Sequence, residues 1–199
     1  MRLKAPQKNL LDNEDAILAL DRSGLFEEEL RFSDNLRKAI TSIKSFELPE
    51  KVKIGGEVIR YEGVKNVVVA GMGGSAIAGE ILKDWIKNEV KVPLEVCRGY
   101  RLPAYIGRDS LIFIISYSGN TEEALSCMAD ALQRRCIIVS LSSNGALQRI
   151  TEGLGLPFIQ LPKMAAARAS LPYLFTPLPY ILARLKLTSS EKLEIEVEN

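Results

Sequence analysis

Two continuous apolar runs, each followed at once by a stretch rich in glycine and hydroxyl residues, constrain the fold more than any other feature. The run 67–70 leads into GMGGS at residues 71–75, and the run 111–115 leads into SYSGNT at residues 116–121. Runs without alternating polar residues are typical of parallel strands, which are buried on both faces. Each stretch is followed by helical spacing, so the chain is predicted to alternate strands with helices.

This alternation predicts an α/β fold, with a parallel five-stranded sheet, helices on both faces and further helices before the sheet. Helical spacing of Leu and Ile over residues 12–46, with a break near residues 22–24, predicts two N-terminal helices. The five strands are predicted at residues 66–70, 93–96, 111–115, 136–141 and 158–161.

The chain is predicted to divide into three segments. Residues 1–48 form a helical segment that packs on the core, residues 49–187 form the sheet domain, and residues 188–199 form a charged tail or linker. Within the sheet domain, residues 49–63 are predicted to be irregular with a glycine turn. Residues 168–186 are predicted to be a helix that prolines bend or interrupt.

The balance of charge excludes several partners. Lys and Arg total 26 against 25 acidic residues, so the chain has no overall field to attract nucleic acid or a membrane surface. The sequence contains no apolar run of membrane-spanning length, and its first residues lack a signal-peptide core. We therefore predict a cytoplasmic protein with neither partner.

Residue usage also limits the chemistry. Histidine is absent, which removes the commonest metal ligand and the commonest general base at neutral pH. The three cysteines, Cys97, Cys127 and Cys136, have no metal-binding or redox spacing and are interpreted as small buried apolar residues. We predict no metal and no cofactor.

The two polar stretches predict a site for a doubly charged phosphate. Ligands of parallel α/β sheets bind at the carboxyl ends of strands, where the winding direction switches. Amides, hydroxyls and the N-termini of two helices would converge there. The hydroxyl groups are those of Ser75, Ser116, Ser118 and Thr121.

Plainer interpretations exist for both stretches. In the first, Ala76 stands where a dinucleotide fingerprint requires glycine, so a tight turn explains the stretch as well as ligand binding does. In the second, Thr121 could cap the following helix while Ser118 and Gly119 form a turn. Capping explains one hydroxyl, whereas phosphate binding explains all three of this stretch.

These residues resemble a known family. SYSGNTEEA (116–124), with GMGGSAIAGE (71–80) one strand–helix unit earlier, resembles the SIS (sugar isomerase) domains, which have a flavodoxin-like fold. A longer likeness, over residues 52–186, is to the bifunctional phosphoglucose/phosphomannose isomerases. It includes YEG at residues 61–63 and RASLPYLF at residues 168–175.

The resemblance implies that the chain binds glucose 6-phosphate, mannose 6-phosphate and fructose 6-phosphate. It implies that Arg168 approaches C1 and C2 of the sugar and stabilises an enediolate, a role that suits a guanidinium near a developing oxyanion. The residues implied to hold the sugar phosphate are Gly74, Ser75, Ser116, Ser118 and Thr121.

Two departures from the family limit what is carried over. Residues 165–167 are alanines, where members usually have proline just before the arginine. Members are longer and carry a catalytic Glu and a ring-opening His in a second SIS domain, to which residues 188–199 would be a linker. We therefore expect this chain to bind phosphosugar and to isomerise it poorly or not at all.

Two alternatives remain open. The chain could be a non-catalytic phosphosugar sensor that regulates a partner, or a nucleotide-binding doubly wound domain. The apolar segment 171–187 exceeds what one sheet face needs, which predicts a homodimer.

Overall fold

A computed structural model describes residues 12–188, so the predicted tail after residue 188 lies outside the described residues. The helices are α1 Glu14–Leu20, α2 Leu25–Leu30, α3 Phe32–Lys44, α4 Gly74–Ile86, α5 Glu122–Gln133, α6 Gly145–Gly153, α7 Leu171–Phe175 and α8 Pro177–Arg184. The strands are β1 Lys51–Ile54, β2 Glu57–Arg60, β3 Asn66–Ala70, β4 Leu94–Cys97, β5 Ser110–Ile115, β6 Ile137–Ser142 and β7 Phe158–Gln160. A 3-10 helix spans Ala167–Ser170.

The predicted five-stranded parallel sheet is confirmed. Its strand order is β4-β3-β5-β6-β7, and every neighbouring pair is parallel. The chain winds one way from β3 to β4 and the other way from β5 onward, so the switch point lies between β3 and β5. Right-handed connections then place α4 and α5 on opposite faces of the sheet.

The core is built on the central strands. Every residue of β5 and β6 is buried, as are the last four residues of β3, which is why these strands are mostly apolar, with three buried serines in β5 and β6 as the exceptions. Helix α4 approaches β3 closely at Gly79, where a Cβ atom would lie 2.8 Å from Cβ of Val69. A side chain there would push the helix off the sheet.

The N-terminal region contains three helices rather than the two predicted. The predicted break near residues 22–24 is present, and Asp21 stabilises it by accepting hydrogen bonds from the backbone N–H of Phe26 at 2.7 Å and from Ser23 Oγ at 2.8 Å. A second break falls at Arg31, between α2 and α3, without a glycine or proline to signal it. Helix α3 packs against α7 and α8.

Residues 49–63 are not irregular as predicted, although the predicted glycine turn is present. Strands β1 and β2 form an antiparallel hairpin joined by Gly55 and Gly56, both with positive φ, 55° and 85°. Two glycines with positive φ make the two-residue turn that joins right-twisted strands well. After the hairpin, buried Tyr61 donates a 2.7 Å hydrogen bond from its hydroxyl to the carbonyl of Ile138 in β6.

The proline-interrupted helix predicted near the C-terminus is confirmed as a 3-10 turn followed by α7 and α8. Pro172 and Pro177 each lie in the first turn of a helix, where proline is tolerated because no backbone donor is lost. Leu174, Leu178 and Ile181 are buried within the chain. The apolar segment is therefore used by the chain's own core. No helix within residues 12–188 is long and apolar enough to cross a membrane.

Candidate functional site

The two polar stretches meet at the carboxyl edge of the sheet, beside the switch point. The backbone N–H of Tyr117 donates to Ser75 Oγ at 3.4 Å. At the base of the stretches, a Cβ atom on Gly71 would lie 3.0 Å from the carbonyl oxygen of Ile115. Glycine at this position therefore lets the two loops touch.

The second stretch is folded around a buried hydroxyl. Ser116 is 1% exposed, and its Oγ lies 2.8 Å from Thr121 Oγ1 and accepts from the backbone N–H of Thr121 at 3.4 Å. Gly119, with φ of 69°, closes the turn by donating to the Ser116 carbonyl at 3.0 Å. The Ser118 hydroxyl is exposed and accepts from the backbone N–H of Asn120 at 3.3 Å.

Thr121 does not cap α5 with its side chain. It occupies the N-cap position, but within residues 12–188 its hydroxyl makes no capping hydrogen bond and contacts Ser116 instead. The capping interpretation of this hydroxyl was therefore wrong. The first-turn N–H groups of α5 are left without a side-chain acceptor from this residue, which suits a helix terminus that faces an anion.

The first stretch is more open. Gly73 has φ of 51° and precedes α4, and Gly74 is the first residue of that helix. Both are exposed, and no described atom lies within 4 Å of the position that a Cβ atom would take on either residue. Helices α4 and α5 thus begin at the same edge of the sheet, each with the positive end of its dipole there.

A third segment, at the start of α6, holds the second stretch in place, and the sequence analysis missed it. The backbone N–H of Ala146 donates to Asn120 Oδ1 at 3.0 Å, and that of Leu147 donates to the Gly119 carbonyl at 2.9 Å. Ser143 donates to the Tyr117 carbonyl at 2.7 Å. The serine and glycine content of residues 142–145, directly after a strand, is the only signal that could have indicated this role.

Arg168 lies in the 3-10 helix and is exposed. The segment before it reaches the site through Tyr117, whose hydroxyl accepts from the Met164 N–H at 2.7 Å and donates to the Met164 carbonyl at 3.3 Å. On the other side, the carboxylate of Glu28 in α2 accepts from the backbone N–H of Ala165 at 2.7 Å. Among the described contacts, none joins Arg168 itself to the four hydroxyls.

Three acids, one on each of α4, α5 and α6, are engaged in surface contacts. Glu80 pairs with Arg98 at 3.1 Å, and Glu152 accepts from Gln148 at 2.9 Å. Glu122 accepts from the Tyr100 hydroxyl at 3.5 Å. The negative charges of Glu123 and Glu122, in the first turn of α5, raise the pKa of the exposed Tyr100. These carboxylates thus act as surface and helix-turn charges.

Sequence comparison finds relatives that are mostly isomerases. The chain is 35% identical over 158 residues to the bifunctional phosphoglucose/phosphomannose isomerase of Caldicellulosiruptor bescii, covering 76% of this chain and 47% of that protein. It is 37% identical over 113 residues to the Aquifex aeolicus enzyme of the same name, covering 56% and 35%. It is also 36% identical over 131 residues to D-glucosamine-6-phosphate 4-epimerase of Sulfolobus acidocaldarius, covering 65% and 41%.

Solved structures show the same fold at low identity. The C-terminal domain of glucosamine-fructose-6-phosphate aminotransferase from Francisella tularensis matches with a TM-score of 0.60 and 16% identity, covering 87% of this chain and 51% of that one. Vibrio vulnificus NanR complexed with ManNAc-6P matches with a TM-score of 0.54 and 15% identity, covering 92% and 70%.

No protein-family model matches the chain. The chain spans about half the length, or less, of the curated relatives it matches. Its doubly wound sheet, its paired strand-end loops and its identity to these relatives agree with one another. The chain belongs to the SIS (sugar isomerase) domain family.

Proposed function

We propose that the chain binds a sugar phosphate, with the phosphate held between residues 71–75 and 116–121. One observation supports this most strongly: the hydrogen bond from Tyr117 to Ser75 brings both loops to one point of the sheet edge. Because α4 and α5 also begin there, their free N–H groups and positive ends face the same space.

The chemistry of the site fits a phosphate dianion. The two loops contain no lysine or arginine, so the anion would be held by backbone amides and by hydroxyls as donors. We propose Gly74, Ser75, Ser116, Ser118 and Thr121 as the binding residues. The buried Ser116 contributes by holding the Thr121 hydroxyl in position through the hydrogen bond between their side chains.

We propose aldose–ketose isomerisation as the reaction to which the domain contributes. Glucose 6-phosphate or mannose 6-phosphate would be converted to fructose 6-phosphate through a cis-enediolate, and Arg168 would stabilise the developing oxyanion. The supporting observation is the identity to relatives named for this activity. The two hydrogen bonds between the Tyr117 hydroxyl and the Met164 backbone bring the segment before Arg168 to the second loop. This contact supports a position of Arg168 beside the bound sugar.

We expect this chain by itself to bind substrate with little or no turnover. It contains no histidine, and the acids near the site form surface contacts. A coupled assay of fructose 6-phosphate formation tests this. A turnover number near those of ordinary isomerases, roughly 1 to 1,000 per second, would contradict it.

Binding is tested by calorimetric titration with fructose 6-phosphate, glucose 6-phosphate and inorganic phosphate. Replacing Ser75 by Ala or Thr121 by Val removes a donor to a charged group, which should weaken binding by about tenfold to a hundredfold. Thr41→Val is the matched control, because Thr41 Oγ1 bonds the Arg37 carbonyl on the exposed side of α3. Unchanged affinity in both site variants would contradict the proposed site. Tight binding of NAD without preference for hexose phosphates would favour the nucleotide-binding alternative.

We also propose a homodimer, a cytoplasmic location and a role in glycolysis or gluconeogenesis. Burial of Leu178 and Ile181 within the chain removes the original reason for predicting a dimer. The remaining support for a dimer comes from three exposed apolar side chains on α4 and just before it, those of Met72, Ile77 and Ile81. Light scattering tests the assembly, and a monomer at high concentration would contradict it.

A further inference from the structure

Two cysteines that are 30 residues apart in sequence lie side by side in the fold. Cys97 is the last residue of β4 and is half-buried, whereas Cys127 lies in the middle of α5 and is buried. Their Sγ atoms are 4.0 Å apart. Cys97 thus stands where a small solute can reach it, with a second thiol directly behind it.

The two thiols differ in chemistry. The hydrogen bond from Cys127 lowers the pKa of Cys97, against the weaker opposing effects of burial and of the nearby Glu95 and Asp130 carboxylates. Hydrogen bonding to Cys97 and burial raise the pKa of Cys127. Burial raises the pKa of the third thiol, Cys136, to about 12. The thiolate of the pair therefore resides on Cys97, and thiolates are the reactive form.

We propose that Cys97 and Cys127 are a site of reversible oxidation, in which peroxide attacks at Cys97 and Cys127 closes a disulfide between β4 and α5. Cys97 is the peroxidatic residue because it combines exposure with a close partner. Cys127 is the resolving residue because it is buried against the sulfur that becomes oxidised.

The chemistry balances with hydrogen peroxide as the oxidant. The Cys97 thiolate attacks one peroxide oxygen, an S–O bond forms, the O–O bond breaks and hydroxide leaves, which gives a sulfenic acid. The Cys127 sulfur then attacks the Cys97 sulfur, an S–S bond forms, and the S–O oxygen leaves as water with the Cys127 proton. In total the two thiols lose two hydrogens, and the peroxide is reduced to two waters.

Closing the disulfide requires a movement of the two sulfurs. The sulfurs must approach by roughly 2 Å to reach disulfide bond length. Each sulfur lies 3.2 Å from a carbonyl oxygen of the loop between β4 and β5, Cys127 Sγ from that of Gly99 and Cys97 Sγ from that of Arg101, and each contact is an S–H hydrogen bond only while that sulfur keeps a proton and directs it there. Such bonds are weak and are lost at little cost. At Gly99 there is open space at the position that a Cβ atom would take, so this point of the loop is not tightly packed.

The test is peroxide treatment of the whole chain, followed by mass spectrometry without reductant. Trypsin separates the three cysteines, because Cys97 falls in peptide 92–98, Cys127 in 109–134 and Cys136 in 136–149. We expect the intact mass to fall by two hydrogens and peptides 92–98 and 109–134 to be linked. A dithiol reductant should restore both thiols.

Three variants make the test specific. Cys136→Ser should form the same link, since burial leaves Cys136 unreactive. Cys127→Ser should accumulate a sulfenic acid at Cys97, which dimedone traps. In Cys97→Ser, the rate at which peroxide oxidises the remaining thiols should be at least tenfold lower than in the unmodified chain. A link between two copies, equal reactivity of Cys136, or irreversible oxidation of Cys97 without a link would each overturn the proposal.

Discussion

The two loops of the proposed site use glycine in opposite ways. In residues 116–121, Gly119 is enclosed: a Cβ atom on it would lie 1.7 Å from the carbonyl oxygen of Asn144. In residues 71–75, Gly73 and Gly74 face open space, with no described atom within 4 Å of a Cβ position. One loop needs glycine because the protein fills the space around it. In the other loop no described neighbour crowds Gly73 or Gly74, and at Gly73 the backbone conformation, not the space, favours glycine.

The second loop is therefore rigid, whereas the first loop is open to solvent at Gly73 and Gly74. The second loop is fixed by Asn120, by the Gly119 carbonyl and by Ser143, all through hydrogen bonds of 2.7 to 3.0 Å. Its donors are thus placed before any ligand arrives, which lowers the cost of binding. The first loop leaves backbone amides uncovered, as close approach of a ligand to the main chain requires.

Gly119→Ala should show the largest effect. The clash with Asn144 and the φ of 69° together should reduce the free energy of unfolding by about 4 kcal/mol. Denaturant titration measures this. The control is Gly153→Ala in α6, where a Cβ atom has room and stability should not fall. Equal stability of Gly119→Ala and the unmodified chain would show that the second loop is not rigid.

Gly73→Ala should cost less, about 2 kcal/mol, because its φ of 51° and ψ of −126° strain an alanine while no atom clashes with it. The same titration measures the loss. A loss as large as that of Gly119→Ala would mean that the first loop is packed rather than open.

Asn120→Ala should reduce stability by about 1 kcal/mol, because the backbone N–H of Ala146 loses its side-chain acceptor. Asn120→Asp keeps the acceptor oxygen and serves as the control. Thermal unfolding should rank the alanine variant below the aspartate variant. The reverse order would indicate that this hydrogen bond does not hold the loop.

Gly74→Ala should show the smallest effect on stability and the clearest effect on binding. Alanine in the first turn of α4 should change stability by at most about 0.5 kcal/mol, in the stabilising direction. Its methyl group would occupy the space proposed for phosphate, so affinity for fructose 6-phosphate should fall at least tenfold. Calorimetry on the folded variant separates the two effects, and full affinity would place the ligand elsewhere.

The sheet could be predicted from sequence because its strands are buried on both faces. Residues 111–115 and 136–139 are continuous apolar runs, which are typical of parallel strands covered by helices on both faces. The two loops could be predicted for the same reason, since each follows directly on a run. Their meeting at the edge of the sheet then follows from topology.

The missed features depend on contacts that local sequence does not encode. The hairpin of β1 and β2 is short and half-exposed, and its signal is mainly the pair Gly55-Gly56. The support of the second loop by Ala146, and the approach of Cys97 to Cys127, join residues more than 20 positions apart. Only the register of strands and the crossing of helices bring such residues together.

Tyr117 ties three parts of the molecule to one another. Its backbone N–H donates to Ser75 Oγ, its carbonyl accepts from Ser143 Oγ, and its hydroxyl accepts from the backbone N–H of Met164, which precedes Arg168 in the chain. A displacement of Tyr117 would therefore disturb its hydrogen bonds to Ser75, Ser143 and Met164. The last of these lies just before the 3-10 helix that contains Arg168. If phosphate is bound between the two loops as proposed, its binding and the position of the Arg168 segment would be coupled through Tyr117, and each would bias the other by the same free energy.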